Sequence, residues 1–335
     1  MAVAALREIG FLLERSRSDT FRVKAYRGAA DALEAMPPEQ VAEHQAERSW
    51  GSVTGVGPKT ATVISQALAG EVPAYLQGLR EARVPLVEGG TTMRAAMRGD
   101  LHVHSTWSDG GSPLEEMMTT ARDLGHEYCA ITDHSPRLKV ARGLSAERLR
   151  EQIAVTRALG ERLAPFRVLQ GIEVDILEDG GLDQSDALLA ELDVVVASVH
   201  SKLRSDSETM THRMVGGIAN PRTNVLGHCT GRLVEGERGT RPPSTFDAEV
   251  VFEACRTFGV AVEINSRPER RDPPTALLQL AVDMGCLFSI DTDAHAPGQL
   301  DFQIYGCARA EAMGIDPDRV INTWPVDRLL EFCAR

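Results

Sequence analysis

The sequence predicts a small all-α domain followed by a larger parallel α/β barrel or a relative of one. Its 335 residues are too many for one small core, so about two domains are expected. Helical spacing dominates the first 83 residues, whereas short strand-like runs alternate with longer amphipathic stretches from residue 99 onward. Such alternation is typical of parallel strands joined by helices. We therefore place the domains at residues 1–83 and 98–335, with a linker at 84–97.

The first domain begins with a helical run at residues 3–35, which a Met-Pro-Pro sequence ends. The stretch SVTGVGPKTATVISQAL, residues 52–68, then predicts a helix, a tight turn at Gly55 and Gly57, and a second helix from Pro58. Backbone N–H groups in such a turn face outward and could hold a phosphate. A plain helical corner with glycine is the alternative, and the flanking apolar pattern favours phosphate binding.

Residues 84–97 have no clear period and contain two adjacent glycines, which predicts a linker. Beyond it, seven short apolar runs separated by helical segments are strand candidates. They are LHVH at 101–104, YCAITDH at 128–134, FRVLQGIEVDI at 166–176, DVVVASVH at 193–200, NVLGHC at 224–229, VAVEINSRP at 260–268 and CLFSIDTDAH at 286–295.

Six of the nine histidines fall at the carboxyl ends of these predicted strands, where parallel barrels carry their chemistry. The i, i+2 spacing of His102 and His104 puts both rings on one face of a strand, and Asp293 and His295 repeat it. With the neighbouring carboxylates, the candidate ligands are His102, His104, Asp109, His134, Glu173, His200, His228, Asp293 and His295. The histidines outside this set, expected to be solvated, are His44, His126 and His212.

These nine converging groups predict a metal site. Each histidine taken singly could be a satisfied core histidine, but the whole set would need unusual pairing to be buried without a cation. At about three to four protein ligands per catalytic ion, nine ligands suggest three divalent ions with one bridging carboxylate. Nitrogen and oxygen donors without a thiolate are compatible with Zn²⁺, Mn²⁺ or Fe²⁺. Clustered ions suit hydrolysis of phosphate esters, because they lower the pKa of water and neutralise the phosphate oxygens.

The net charge of −12 is distributed unevenly. Residues 1–97 hold 11 basic and 11 acidic residues, whereas the rest of the chain holds 25 basic and 37 acidic residues. A neutral domain can approach a polyanion that an acidic domain would repel unless it binds cations. The asymmetry therefore agrees with a metal-loaded catalytic domain beside a separate docking domain. No signal peptide or apolar run of about 18 residues is present, so we expect a cytoplasmic protein without a membrane partner.

The segments DLHVHSTWSDG, TDHS, GIEVDI, SVHS, GHCTGRL and DTDAH resemble the signature segments of the PHP (polymerase and histidinol phosphatase) superfamily, over residues 98–335. The likeness is greatest to the PHP domain of bacterial family-X DNA polymerases. It implies a distorted seven-stranded (βα)7 barrel of TIM-like form with a trinuclear metal site. The implied ligand sets are His102, His104, Glu173 and Asp293 for one ion, Asp109, His134 and His295 for a second, and Glu173, His200 and His228 for a third, with Glu173 as the bridge.

The first domain resembles the helix-hairpin-helix domain that opens family-X polymerases, through ALREIGFLLERSRSDTFRVKAYRGAADALEAMP and TGVGPKTATVISQAL. Those polymerases insert a nucleotide-transferring palm between the two parts, for which the 84–97 linker is too short. We therefore expect no polymerase activity. Val63 and Gly28 stand where eukaryotic relatives carry functional lysines, so sugar-phosphate lyase activity is not expected either.

The resemblance implies a metal-dependent DNA phosphoesterase of DNA repair that acts at ends, gaps or damaged sites. A 3′–5′ exonuclease is the leading expectation, with abasic-site endonuclease and 3′-phosphatase activities in the same pocket. Backbone contacts without base reading predict low sequence specificity. A small-molecule phosphatase of the histidinol-phosphatase type is the first alternative, with the helical domain used for assembly. A non-catalytic DNA-binding or interaction module stabilised by metal is the second.

Several basic residues and turn glycines are candidate phosphate or DNA contacts. Ordinary surface charge is the alternative explanation for each basic residue. The candidates are Lys24, Arg27, Gly55, Gly57 and Lys59 in the first domain, and Arg137, Lys139, Arg232 and Arg267 after strand ends of the second.

Overall fold

The chain forms two structural units, Met1–Pro85 and Leu86–Arg335, in a computed structural model that describes residues 1–236 and 239–334. A hydrophobic core that includes Leu6, Ile9, Tyr26 and Ile64 holds the first unit together. Its α-helices are α1 (Ala2–Arg15), α2 (Thr20–Glu34), α3 (Pro38–Glu47), α4 (Pro58–Leu68) and α5 (Ala74–Glu81).

The predicted helical run at 3–35 is in fact two helices. Arg17 adopts a left-handed conformation with φ +56°, and the Asp19 side chain accepts hydrogen bonds from the backbone N–H groups of Phe21 and Arg22. An aspartate at this position satisfies the free N–H groups that begin a new helix, so helical spacing alone missed the break. The predicted helix before the glycine turn is likewise only a 3-10 turn, Trp50–Ser52.

Part of the predicted linker at 84–97 is ordered on the second unit. Helix α6 (Thr91–Ala96) follows Gly90, whose φ is +79°. The Glu311 carboxylate accepts hydrogen bonds from the backbone N–H groups of Gly90 at 2.6 Å and Met93 at 2.7 Å, and the Met93 side chain is buried. A six-residue helix is too short to show a period, and its tertiary contacts stabilise it rather than its own sequence.

Seven parallel strands of the second unit follow one another in sequence order, from β1 to β7, as predicted. They are β1 (Gly99–Val103), β2 (Tyr128–Ile131), β3 (Arg167–Asp175), β4 (Val194–Ser198), β5 (Val225–Leu226), β6 (Ala261–Asn265) and β7 (Phe288–Asp291). The accompanying α-helices are α7 (Leu114–Asp123), α8 (Ala146–Leu163), α9 (Asp186–Leu189), α10 (Ser207–Ala219), α11 (Ala248–Phe258), α12 (Thr275–Asp283), α13 (Gln303–Ala312) and α14 (Val326–Cys333).

The sheet curls into a nearly closed barrel. A parallel bridge pairs Val103, at the end of β1, with Ala294, just after β7, and the His104 N–H donates to the Ala294 carbonyl at 2.8 Å. The predicted (βα)7 barrel of TIM-like form is thereby confirmed. Within the described residues, no α-helix is long and apolar enough to cross a membrane.

The side chains inside the barrel change from apolar to polar along the strands. Residues two apart on a strand share a face, so Val194, Val196 and Ser198 of β4 point the same way. Near the amino ends of the strands such residues are apolar and form a core with Trp324 and with Leu329 of α14. Toward the carboxyl ends, polar and titratable side chains replace them. The fold therefore closes one end of the barrel with apolar packing and leaves the other end for chemistry.

Candidate metal centre

Glu173, late in β3, lies at the centre of the predicted ligand set. Its side chain is 1% exposed. Its carboxylate oxygens lie between 2.8 and 3.5 Å from ring nitrogens of His102, His104, His134, His200 and His228. Oε2 faces the first three of these rings, and Oε1 faces the last two. A carboxylate whose two oxygens face separate groups of imidazoles is placed to bridge two metal ions.

Asp109 and His295 extend the set toward solvent. Asp109 Oδ1 lies 3.4 Å from His134 Nε2 and 3.3 Å from His295 Nε2. Asp293 Oδ1 lies 3.4 Å from His104 Nε2 and 3.6 Å from His295 Nδ1. The Asp109 side chain is 24% exposed, whereas that of Asp293 is 2% exposed. The cluster therefore runs from a closed interior to an open edge that a substrate can reach.

Three groups of ligand atoms could each hold a metal ion, because the atoms in each group lie within 4.8 Å of one another. The groups are His102, His104 and Asp293; His104, Asp109, His134 and His295; and His134, Glu173 and His200. They overlap the three implied ion sites with some exchange of members. In the third group His134 takes the place expected for His228, whose Nε2 is hydrogen-bonded to Glu173 Oε1 at 2.8 Å.

Unpaired polar atoms in the cluster fit a bound cation. Burying a donor or acceptor without a partner costs about 1–3 kcal/mol. Several buried ligand atoms here have no hydrogen-bond partner among the described residues: Nε2 of His102, both ring nitrogens of His104, Nδ1 of His134, Oε2 of Glu173, Nε2 of His200 and Nδ1 of His228. Divalent ions would satisfy most of these lone pairs at once, so the residues present fit the metal cluster that the sequence predicts.

The central carboxylates stay ionised despite their burial. Burial alone would raise the pKa of Glu173, but the nearby imidazoles of His200, His102 and His134 hold it well below its ordinary value. Burial also opposes ionisation of Asp293, and the guanidinium groups of Arg270 and Arg267 hold its pKa well below the usual range. Ionised carboxylates are the form that binds cations.

The surroundings shift the pKa values of His104 and His200 in opposite directions. Burial, together with His295 and His134, lowers the pKa of His104 to about 3, which keeps that ring neutral. Burial opposes the charged form of His200 as well, but Glu173 and Asp175 raise its pKa to about 9. A neutral ring is the form that coordinates a metal, so His104 is ready to bind, whereas His200 must release a proton first.

Two carboxylates outside the predicted set orient histidines of the cluster. The buried Glu263 of β6 lies 2.6 Å from His102 Nδ1 and also accepts from the His228 backbone N–H at 2.5 Å. Asp175 of β3 lies 2.9 Å from His200 Nδ1. A carboxylate on Nδ1 fixes the tautomer that leaves Nε2 free for a metal. Two sequence signals could have identified these carboxylates. One is the acidic residue inside the apolar run VAVEIN, and the other is the spacing of Glu173 and Asp175, two residues apart on one strand.

Two arginines lie beside Asp293 and His295, the candidate ligands that follow β7. Arg270, which the sequence analysis missed, donates from Nε to Asp293 Oδ2 at 2.9 Å. The predicted Arg267 places its guanidinium 2.9 Å from His295 Nδ1 and 3.2 Å from the Asp293 carbonyl oxygen. The Arg267 side chain is 22% exposed. Arg267 therefore borders both the cluster and its open edge.

The other predicted cations of the barrel differ in accessibility. Arg137 and Lys139 are exposed on the loop after β2. Arg137 lies 3.5 Å from Glu178, an exposed pair that is worth little. Arg232 donates to the backbone carbonyls of Arg270 and Arg271, so its guanidinium already has a structural role. The buried His126, expected to be solvated, places Nε2 3.1 Å from Arg94.

Gly55 and Gly57, in the glycine turn of the first unit, are both exposed. Gly55 has φ +87°, a conformation that glycine adopts without strain, and a side chain there would approach the Gly28 carbonyl at 3.6 Å. Gly57 precedes α4, but its N–H donates to Thr60 Oγ1 at 2.9 Å and is therefore already used. Lys59, in the first turn of α4, is exposed.

The two candidate cations of α2 differ in their environment. Lys24 is exposed, whereas Arg27 is 8% exposed and forms an ion pair with the buried Glu14 of α1, with Nη2 2.7 Å from Oε2. The expectation that Arg27 contacts phosphate is therefore wrong. The Arg27 side chain is used in packing between α1 and α2, because an arginine can reach a neighbouring helix and satisfy a buried carboxylate there.

Comparison with known protein families assigns both parts of the chain. Residues 100–267 match the family model described as the PHP domain, and residues 2–72 match that of a helix-hairpin-helix domain. A DNA polymerase/3′-5′ exonuclease PolX of Bacillus subtilis is 39% identical over 239 residues, which make up 71% of this chain and 41% of that protein. The chain thus spans well under half of the length of this relative.

Probable phosphatases are also similar. One from Thermoanaerobacter sp. (strain X514) is 27% identical over 244 residues, covering 70% of this chain and 93% of that protein. Among solved structures, a histidinol phosphate phosphatase from Lactococcus lactis, complexed with zinc, L-histidinol and phosphate, matches with a TM-score of 0.45 and 18% identity, over 65% of this chain and 92% of that one.

Proposed function

Since the chain belongs to the PHP domain family of phosphoesterases, we propose that it hydrolyses DNA from the 3′ end in a metal-dependent reaction that serves DNA repair. The observation that carries the proposal is a helix-hairpin-helix domain at residues 2–72 in the same chain. Backbone amides of such a domain bind phosphates without reading bases, so low sequence specificity is expected. A DNA substrate also agrees with the cytoplasmic location predicted from the sequence.

The nine ligands would hold three divalent ions, for which zinc, manganese and iron all suit the nitrogen and oxygen donors. When bound, such ions supply an activated water and neutralise charge on the phosphate. The ionised carboxylates of Glu173 and Asp293 would hold these ions. The Glu263 and Asp175 carboxylates hold the rings of His102 and His200 in the coordinating orientation.

Substrate is proposed to enter at the open edge beside Asp109 and His295. We assign Arg267 to a non-bridging oxygen of the reacting phosphate, because its partly exposed guanidinium borders that edge. Arg137 and Lys139, exposed on the loop that follows His134, would also contact the phosphate backbone of the substrate. Lys24, Lys59 and the turn at Gly55 would bind the DNA backbone. Abasic-site and 3′-phosphate cleavage would use the same metal cluster.

Nucleotide polymerisation is not part of the proposal. The helix-hairpin-helix match ends at residue 72 and the PHP match begins at residue 100. The segment between them is far shorter than a polymerase palm. It also contains α5 and α6, which leaves still less chain for another fold.

A small-molecule phosphatase is the second candidate. Its support is the match to the probable phosphatase from Thermoanaerobacter, in which the shared region accounts for 93% of that protein. Such an enzyme needs nothing beyond the barrel, so the helical unit would serve assembly instead of substrate binding.

One panel of substrates separates the two candidates. Metal-reconstituted protein is incubated with 5′-end-labelled DNA, a duplex with one abasic site, and L-histidinol phosphate under identical conditions. Stepwise shortening of the labelled DNA at a catalytic efficiency far above that for histidinol phosphate supports the exonuclease. Efficient phosphate release from histidinol phosphate with intact DNA would overturn it in favour of the second candidate.

A further inference from the structure

Asp109 differs from the other eight predicted ligands in how the fold delivers it. Those eight lie within a strand or no more than four residues beyond its end. Asp109 lies six residues after Val103, in the turn at residues 106–109. A strand end is fixed by its ladder of hydrogen bonds, whereas a turn must be held by other contacts. Something outside the strand must therefore keep Asp109 near His134 and His295.

Two guanidinium groups hold the backbone of this turn. Arg142, on the loop before α8, donates from Nη2 to the carbonyl oxygens of Thr106, at 3.3 Å, and Ser108. Arg148, in the first turn of α8, donates from Nη2 to the carbonyl of Trp107. Three successive carbonyls immediately before Asp109 are thus each bound by an arginine.

The two arginines are also connected to each other. Arg148 Nη1 donates to the backbone carbonyl of Arg142 at 2.7 Å. The Arg148 guanidinium also lies over the Trp107 ring, with Cζ 6.0 Å from the ring centre. The planar fork of arginine can serve two carbonyls at once, which the single ammonium group of lysine does less well. We call Arg142 and Arg148 together the arginine clamp.

The inner side of the same turn is fixed by the buried Asp133. Its carboxylate accepts from the backbone N–H of Ser105 at 2.8 Å, from Ser105 Oγ at 2.6 Å, and from Ser108 Oγ. Gln152 Nε2 donates to the same carboxylate at 2.6 Å. Asp133 is buried next to His134, so its removal would disturb the barrel itself. The clamp lies on the outer side and can be removed without touching the barrel interior.

We propose that the arginine clamp positions Asp109 and thereby sets the affinity of the metal ion shared by Asp109, His134 and His295. The proposal rests on the metal-dependent function argued above. Neither arginine contacts the ligand atoms, so their effect acts through the turn. Loss of the clamp should let Asp109 swing into solvent, since its side chain is already the most exposed of the predicted carboxylate ligands.

The test measures metal binding in addition to activity. Full-length wild type, Arg148→Ala and Arg142→Ala are titrated with Mn²⁺ and with Zn²⁺ against a competing chromophoric chelator, and bound metal is counted. One class of site should weaken about 10- to 100-fold, as for other residues that orient metal ligands, while the remaining sites are unchanged. Arg148→Lys should fall between wild type and Arg148→Ala. Arg150→Ala, two residues further along α8 at an exposed position, is the matched control and should bind metal as wild type does.

An Asp109→Asn variant makes the outcome decisive. It should lose the same class of site, and adding Arg148→Ala to it should cause little further loss, because both changes act on one ligand. If Asp109→Asn retains every site, the ligand assignment behind the proposed function fails. If Asp109→Asn loses the site but the arginine variants do not, the clamp proposal alone fails. Equal weakening of all sites, with a lower thermal midpoint of the metal-free protein, would also overturn it.

Discussion

At the scale of single residues, the cluster is built around one carboxylate and a gradient of exposure. Glu173 contacts histidines that follow or lie on four different strands, so any ions bound in the interior would depend on one side chain. Asp109 and His295 lie at the open edge instead. Substitutions in the interior should therefore affect metal binding as a whole, and those at the edge should affect one ion.

His104 belongs to two of the three ligand groups, so its removal should be severe. His104→Ala is expected to abolish hydrolysis while DNA binding stays within about twofold of wild type, because the helical unit is untouched. Cleavage of end-labelled DNA and a binding titration measure the two properties. His212→Ala, at an exposed position of α10, is the control that should retain both. Undiminished turnover by His104→Ala would argue against metal-dependent hydrolysis.

Glu263 is expected to act through His102 and not on the substrate. Glu263→Gln keeps the size of the side chain but weakens the hold on His102 Nδ1, so metal affinity should fall about 10- to 100-fold. Excess metal should restore activity to the variant, which would not happen if Glu263 moved a proton in the reaction. Chelator competition and a rate measurement across metal concentrations distinguish the two. The exposed Glu191→Gln serves as control.

The sequence indicated the candidate ligands more readily than the residues that hold those ligands in place. Eight of the nine candidate ligands were found on or just after predicted strands, because a barrel brings strand ends together whatever the details of the helices. Glu263, Arg270 and Asp133 were missed, since neither a charged residue inside an apolar strand nor one in the loop after a strand shows a period of its own. Arg27 was misjudged for the related reason that a basic residue in sequence does not reveal whether a buried carboxylate faces it.

At the scale of elements, helices α2 and α4 of the first unit each carry one exposed lysine, Lys24 and Lys59. The seven strands were predictable from short apolar runs: six lie within the predicted segments, and β1 begins two residues before its segment. The break between α1 and α2 was not predictable, because it depends on one capping side chain, that of Asp19. The short α6 was not predictable either, because a tertiary contact with Glu311 stabilises it.

Lys24 and Arg27, three residues apart on α2, should respond in opposite ways to alanine. Lys24→Ala should leave stability unchanged and lower the salt dependence of DNA binding by about one unit of slope. Arg27→Ala should destabilise the helical unit by about 3 kcal/mol, because it breaks the buried ion pair with Glu14, and should change the slope little. Denaturant unfolding and binding titrations at several salt concentrations measure both. The reverse pattern would contradict the assignment of these two cations.

At the scale of the whole molecule, the two units have separate hydrophobic cores, so their contributions can be separated. Residues 1–97, which include the helical unit, carry equal numbers of basic and acidic residues, whereas the acidic excess lies in the remainder of the chain. A polyanion should therefore meet the helical unit first, and bound metal should lower the repulsion from the barrel.

Removal of residues 1–85 should separate docking from chemistry. The truncated barrel is expected to lose roughly tenfold or more in catalytic efficiency on DNA, since phosphate contacts dominate nonspecific binding, and to keep its rate on p-nitrophenyl phosphate. Both substrates are measured on the same preparation. A similar loss on both would favour the small-molecule phosphatase.

Metal removal should affect the barrel alone. Binding at free metal about a thousand times above Kd stabilises a folded unit by roughly 4 kcal/mol per site, so chelation should lower the thermal midpoint of the barrel. The helical unit contains none of the predicted ligands, and its transition should not move. Calorimetry with and without chelator resolves the two transitions. A barrel transition that is insensitive to chelator would contradict the metal cluster.

The bridge between Val103 and Ala294 has a consequence for the order of events during synthesis. The helical unit can fold as soon as its 85 residues leave the ribosome, whereas the barrel closes only after β7 has been made. The ligands span residues 102 to 295, so an incomplete chain contains scattered histidines but no finished pocket. Under the proposed function, metal acquisition would therefore be a late step in maturation, and nascent chains should be able to engage a nucleic acid before they can cut it.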